Sequence, residues 1–88
     1  MPSITVLGRD TCEDTVRVRA HLAALSIAHD YRNVELDPLA DALIRTFNAG
    51  ERVTPTILLG DPSAPTRVLI EPTNAVLDAA IAELTTGG

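Results

Sequence analysis

Cys12 is the only cysteine in this 88-residue chain, and its thiol is the best nucleophile the sequence offers. It stands in Arg9-Asp10-Thr11-Cys12-Glu13-Asp14-Thr15, a turn between a short β-rich run and a helical pattern. A thiol reacts as its thiolate, which a helix N-terminus or a guanidinium such as that of Arg9 favours. Asp10, Glu13 and Asp14 oppose ionisation, because each disfavours a second negative charge nearby. With one mobile cation against three carboxylates, the thiol is expected to titrate near the free-cysteine value of about 8.5. Two other segments could complete a site: Thr54-Pro55, ahead of a β-rich run, and the Pro72-Thr73-Asn74 helix start.

A single cysteine excludes an internal disulfide, a four-cysteine cluster and a two-cysteine redox cycle. It leaves exchange chemistry, in which every step passes through a mixed disulfide. His21 and His29 have no acidic or thiol partner at ligand spacing, so no metal is expected. Twelve acidic residues against seven basic ones, all arginine, give a net charge of −5. No basic stripe is left to displace counterions from phosphates, which argues against nucleic acid as a partner. No apolar run approaches the ~20 residues of a membrane span. Met1-Pro2-Ser3 lacks the basic flank and apolar run of a signal peptide, so a cytoplasmic monomer is expected, where a lone thiol stays reduced.

The elements that must position these residues follow from hydrophobic spacing. At 45% apolar the chain can bury a core, and its length allows one domain, residues 1–88. Only Tyr31 and Phe47 are aromatic, so Val, Leu, Ile and Ala must fill that core. Ser3–Leu7 reads as a strand, and Thr15–Leu25 as a helix with Val18, Leu22 and Leu25 on one face. Asp10-Thr11-Cys12-Glu13 and Thr11-Cys12-Glu13-Asp14 are alternative capping boxes for that helix. A second strand is predicted over His29–Leu36. Asp37-Pro38 then opens a helix whose Leu39, Leu43 and Phe47 recur every four residues, with Ile44 beside them. Asn48-Ala49-Gly50 ends it, with Gly50 in the left-handed cap. Thr56–Leu59 and Arg67–Ile70 form an antiparallel pair. Thr73 or Asn74 caps a last helix with Leu77, Ile81 and Leu84 inward, before a tail at Thr85–Gly88. Leu22, Leu43, Phe47 and Leu77 are the expected core. The order β-α-β-α-β-β-α makes the first two strands parallel through a right-handed crossover. The result is a four-stranded mixed sheet with three helices covering both faces.

That order, the turn around Cys12, and Asn48-Ala49-Gly50-Glu51-Arg52-Val53-Thr54-Pro55-Thr56 together resemble a glutaredoxin, most closely the actinobacterial mycoredoxins. The resemblance spans essentially the whole chain. It implies a thioredoxin fold in which Cys12 attacks mixed disulfides between proteins and a low-molecular-weight thiol, mycothiol or glutathione, with no tightly bound cofactor. It further implies that Pro55 is cis and faces Cys12, and that the Thr54 backbone pairs with the thiol's peptide portion. Arg9, Thr15, Arg52, Val53, Thr73 and Asn74 would complete the cosubstrate site, Arg52 near a carboxylate of the ligand and Thr73 and Asn74 at its other end. The sequence departs from the family at several places. Thr15 replaces the second cysteine of dithiol members, Glu13-Asp14 stand where Pro or Gly and an aromatic are usual, and Thr54 replaces the usual Val. Glu71-Pro72 replaces a frequent Gly-Gly, the hairpin loop is longer than in mycoredoxins, and the Cys-Gly-Phe-Ser signature of cluster carriers is absent. The alternative is a redox-silent binding module of the same fold. Without a ligand, Arg52 equally suits a solvated position, and Thr73 and Asn74 equally suit ordinary helix caps.

Overall fold

The computed structural model describes residues 3–86. Met1, Pro2 and the terminal Gly87-Gly88, read above as a leaderless start and the end of a tail, lie outside the described residues. The chain runs β1 (Ile4–Gly8), α1 (Glu13–Ala24), β2 (Asp30–Asn33), α2 (Pro38–Phe47), β3 (Thr56–Leu59), β4 (Arg67–Ile70) and α3 (Asn74–Thr86). The sheet order is β2-β1-β3-β4. β1 pairs parallel with β2, with Val6 opposite Tyr31, and antiparallel with β3, with Val6 opposite Ile57. β4 extends the sheet antiparallel to β3. This is the α/β architecture of a thioredoxin-like fold, with the predicted element order and strand directions.

Period-two alternation divides the core between the two faces of the sheet. Ile4, Val6, Ile57, Leu59 and Leu69 meet α1 and α3 through Val18, Leu22, Leu77, Ala80 and Ile81, with Leu84 at the margin. Leu7 and Leu58 face α2 through Ala40 and Ile44, beside Val34. Because α2 lies alone on its face, its buried stripe is narrow. Leu43 and Phe47 flank it and are only half-buried, not central as the spacing suggests. Leu39 is 73% exposed. At about 100° per residue, Leu39 stands roughly 140° around the helix from Ile44, so the four-residue repeat drifts off the sheet.

The helix ends also differ from expectation. Leu25 caps α1 and is half-exposed, while Ser26 turns left-handed at φ 56°. The Ser26 amide donates to the Ala23 carbonyl and that of Ile27 to Leu22, which closes a Schellman motif and packs Ile27 against the core in place of Leu25. At the end of α2 the left-handed position after the Asn48 cap belongs to Ala49 (φ 54°), with Gly50 following at φ 87°. β2 stops at Asn33, whose side chain accepts from the Glu35 amide at 2.8 Å, so 34–36 form a turn rather than strand. α3 continues to Thr86, past the predicted start of the tail. Asp37 caps α2 through the Leu39 and Ala40 amides, as the Asp-Pro opening predicts, and these bonds with Arg32 hold its carboxyl below the usual range. Among the described residues, no helix is long and apolar enough to cross a membrane.

Candidate functional site

The loop after β1 delivers Cys12 to the N-terminus of α1. The Cys12 amide donates back to the Arg9 carbonyl at 3.2 Å, and Cys12 itself takes the N-cap position at φ −86°, ψ 119°. This overturns both predicted capping boxes. Asp10 and Thr11 lie outside the helix, and Asp10 instead accepts from the Tyr31 hydroxyl at 2.8 Å, with the Arg19 guanidinium over the Tyr31 ring at 3.8 Å. The helix N-terminus therefore presents its free amides to the sulfur.

The second wall is the segment before β3. The Thr54–Pro55 peptide is cis, and the Cys12 thiol donates to the Thr54 carbonyl at 3.6 Å. The Glu71 amide donates to the Pro55 carbonyl at 2.9 Å, which ties the turn leading into α3 to the same segment. Glu71 adopts φ 47°, a left-handed conformation that would suit glycine better.

Thr15 forms the floor. It is fully buried, and its Oγ1 has no hydrogen-bond partner. Gly8 makes room for it: a Cβ on Gly8 would fall 2.5 Å from Thr15 Cγ2 and 2.6 Å from Oγ1. Burial pushes the Cys12 pKa up, but the hydroxyls of Thr15 and Thr54 and the amides of Thr15 and Asp14 outweigh it and leave the thiol more acidic than an ordinary cysteine. Neutral Cys12 leaves the Thr15 hydroxyl without a partner of good geometry, whereas a thiolate would accept a hydrogen bond from it. The sequence expectation rested on three opposing carboxylates. The causes that lower the thiol pKa are hydrogen bonds, while Asp10 accepts from Tyr31 and Asp14 is engaged by Arg17 at 3.5 Å.

Of the residues proposed from sequence, Cys12, Thr15, Thr54 and Pro55 come together. Thr73 and Asn74 share an open cleft of about 490 Å³ with Asp14, Arg17 and Glu71. Thr73 is the cap of α3, its Oγ1 accepting from the Val76 amide at 3.1 Å, and the Asn74 side chain accepts from Arg17. Val53 is half-buried, and its carbonyl accepts from the Thr56 hydroxyl at 2.7 Å. Arg9 is exposed and, among the described residues, pairs with no carboxylate. Arg52 turns away toward α2, where it bonds Asp41 at 2.9 Å. That bond, outweighing desolvation, holds the Asp41 carboxyl low and raises the Arg52 guanidinium. Arg17 was missed: its donors reach Asn74, Asp14 and the Pro72 carbonyl, so it staples α1 to the start of α3. Arg17 stands five residues after Cys12, roughly 140° around the helix, so spacing gives no signal for it, and two of its partners lie 55 and 57 residues away. His21 bonds Asp78 at 2.6 Å and His29 the Ile27 carbonyl at 2.9 Å. Among the described residues no group of three or more His, Cys, Asp and Glu is arranged to hold a metal.

A scan against protein-family models matches no family, and a search of the curated proteins finds no match to the chain.

Proposed function

We propose that the protein is a monothiol thiol–disulfide oxidoreductase acting on mixed disulfides between proteins and a low-molecular-weight thiol. One observation carries this reading: an accessible thiol at an open helix N-terminus lies over a buried hydroxyl that lacks a partner, beside the cis Thr54–Pro55 peptide. In the first step the Cys12 thiolate attacks the small-thiol sulfur of the substrate. A Cys12–small-thiol bond forms, the substrate S–S bond breaks, and the protein sulfur leaves as a thiolate and takes a proton from solvent. In the second step a free small thiol, as its thiolate, attacks the same small-thiol sulfur. Cys12 leaves as thiolate and a disulfide of two small thiols departs. One free small thiol is thus oxidised for each mixed disulfide reduced, the other half of the departing disulfide coming from the substrate, and no second cysteine is required. The Thr15 hydroxyl and the Asp14 and Thr15 amides stabilise the sulfur anion at the beginning and end of each cycle.

Turnover of a reporter peptide held in mixed disulfide with mycothiol or with glutathione, in excess of the matching free thiol, tests the reading. Catalysis above the uncatalysed exchange rate that disappears in Cys12→Ser is the expected result. Exchange no faster than without protein, for both thiols, would leave the redox-silent binding module as the better account.

A further inference from the structure

The arrangement of charge around the thiol carries a statement about the small thiol itself. A thiol bearing carboxylates is drawn to cations not already paired with an acid, and the groove has few. Arg17 engages Asn74, Pro72 and Asp14 through its two terminal nitrogens, and Arg52 is paired with Asp41 through Nε. Arg19 lies over Tyr31, 3.8 Å from the Asp10 carboxylate. The cleft between the starts of α1 and α3 is lined by Asp14 and Glu71 against Arg17 alone, so its formal balance is −1, and Glu13 adds an exposed carboxylate next in sequence to Cys12. Arg9 alone opposes these. Glu71 also stands at the approach to the N-terminus of α3, the place where backbone amides would otherwise favour an anion. Independently of this acidic lining, the Thr15 hydroxyl is buried with no partner of its own and lies within reach of the Cys12 thiolate.

We propose that the groove selects its thiol by charge: it takes low-molecular-weight thiols whose remaining groups are neutral or cationic, and disfavours those carrying carboxylates, the dicarboxylate tripeptide glutathione among them. This rests on the oxidoreductase reading above. The exchange step is unchanged, with the Cys12 thiolate displacing the protein sulfur from the small-thiol sulfur. Charge acts on how readily that sulfur reaches Cys12. Like charges a few ångströms apart in a solvated cleft repel modestly, and added salt screens them.

Three capped tripeptide thiols of one backbone test it: acetyl-Glu-Cys-Glu-amide, acetyl-Gln-Cys-Gln-amide and acetyl-Lys-Cys-Lys-amide, each in mixed disulfide with the same reporter peptide. Dividing each catalysed rate by its own uncatalysed rate removes differences in thiol acidity. The Gln and Lys substrates are expected to be accelerated about three- to tenfold more than the Glu substrate at low salt, with the gap closing near 1 M salt. Glu71→Gln is expected to narrow the gap at low salt. Equal acceleration of all three at low salt, or preference for the Glu substrate, would overturn charge selection while leaving the oxidoreductase reading intact. Acceleration of none of them would overturn both.

Discussion

Replacing Thr15 by Val separates stability from reactivity, because the hydroxyl lost serves only the ionised site. Thr15 is fully buried and its Oγ1 bonds nothing. A buried hydroxyl without a partner costs about 1–3 kcal/mol. Val keeps the shape that rests on Gly8, so no cavity opens. Thr15→Val is therefore expected to stabilise the fold by about 1–2 kcal/mol, raising Tm by roughly 4–8 °C per kcal/mol in a domain of this size. The same change removes a donor to the sulfur anion. A donor to a partly exposed charge is worth about 1 kcal/mol at the low end, or roughly fivefold in thiolate population at a pH below the thiol pKa. Alkylation of Cys12 by iodoacetamide at neutral pH is expected to slow by about that factor, with its pH–rate curve displaced to higher pH. Thermal melts and alkylation rates on the two proteins decide the matter. A variant that is less stable than the parent, or more stable with unchanged alkylation, would refute the assignment of Thr15 to the thiolate.

Gly8→Ala drives a methyl into Thr15 and is expected to cost about 1–3 kcal/mol in urea melts; a neutral result would mean that the floor of the site yields easily. Phe47→Ala is expected to cost about 1–2 kcal/mol, less than the 3–5 of a fully buried phenylalanine, and a loss above 3 would place Phe47 in the core after all. Tyr31 is the only tyrosine and there is no tryptophan, so its phenolate band can be followed directly. Partial burial, then the bond to Asp10, push its pKa up to about 12. The folded state therefore keeps the proton longer than the unfolded chain. Tyr31 adds stability in full below the ordinary value near 10, and that contribution is lost as pH climbs toward about 12. Ultraviolet titration is expected to find the midpoint lowered in Asp10→Asn, and an ordinary midpoint in the parent would contradict the Tyr31–Asp10 bond.

Local signals carried the fold. Asp37-Pro38 needs only the adjacent Leu39 and Ala40 amides to open α2, and the β-α-β-α-β-β-α order needs only alternation and spacing. Signals failed where tertiary partners decided the outcome. Ser26 closes α1 without a glycine because Ile27 gains a place in the core, and no periodicity within α1 foretells that exchange. The drift of Leu39 from the sheet follows from α2 lying alone on its face. At the site, Cys12 and Pro55 stood out by residue type. The pairing of Arg52 with Asp41, the staple made by Arg17 and the missing partner of Thr15 Oγ1 depend on groups brought together only by folding. The hydrogen bonds that lower the Cys12 pKa, and the bond from Tyr31 on β2 to Asp10, were hidden for the same reason.

The claim that Cys12 exchanges with the small-thiol sulfur of a mixed disulfide is tested most directly by a single turnover watched by mass spectrometry. Reduced protein is mixed with one equivalent of a reporter peptide disulfide-bonded to a small neutral thiol, and the reaction is acid-quenched. The expected products are the free peptide thiol and a protein whose mass has risen by one small thiol, mapped to Cys12. An unmodified protein with intact substrate, or the reporter peptide itself joined to Cys12, would contradict it.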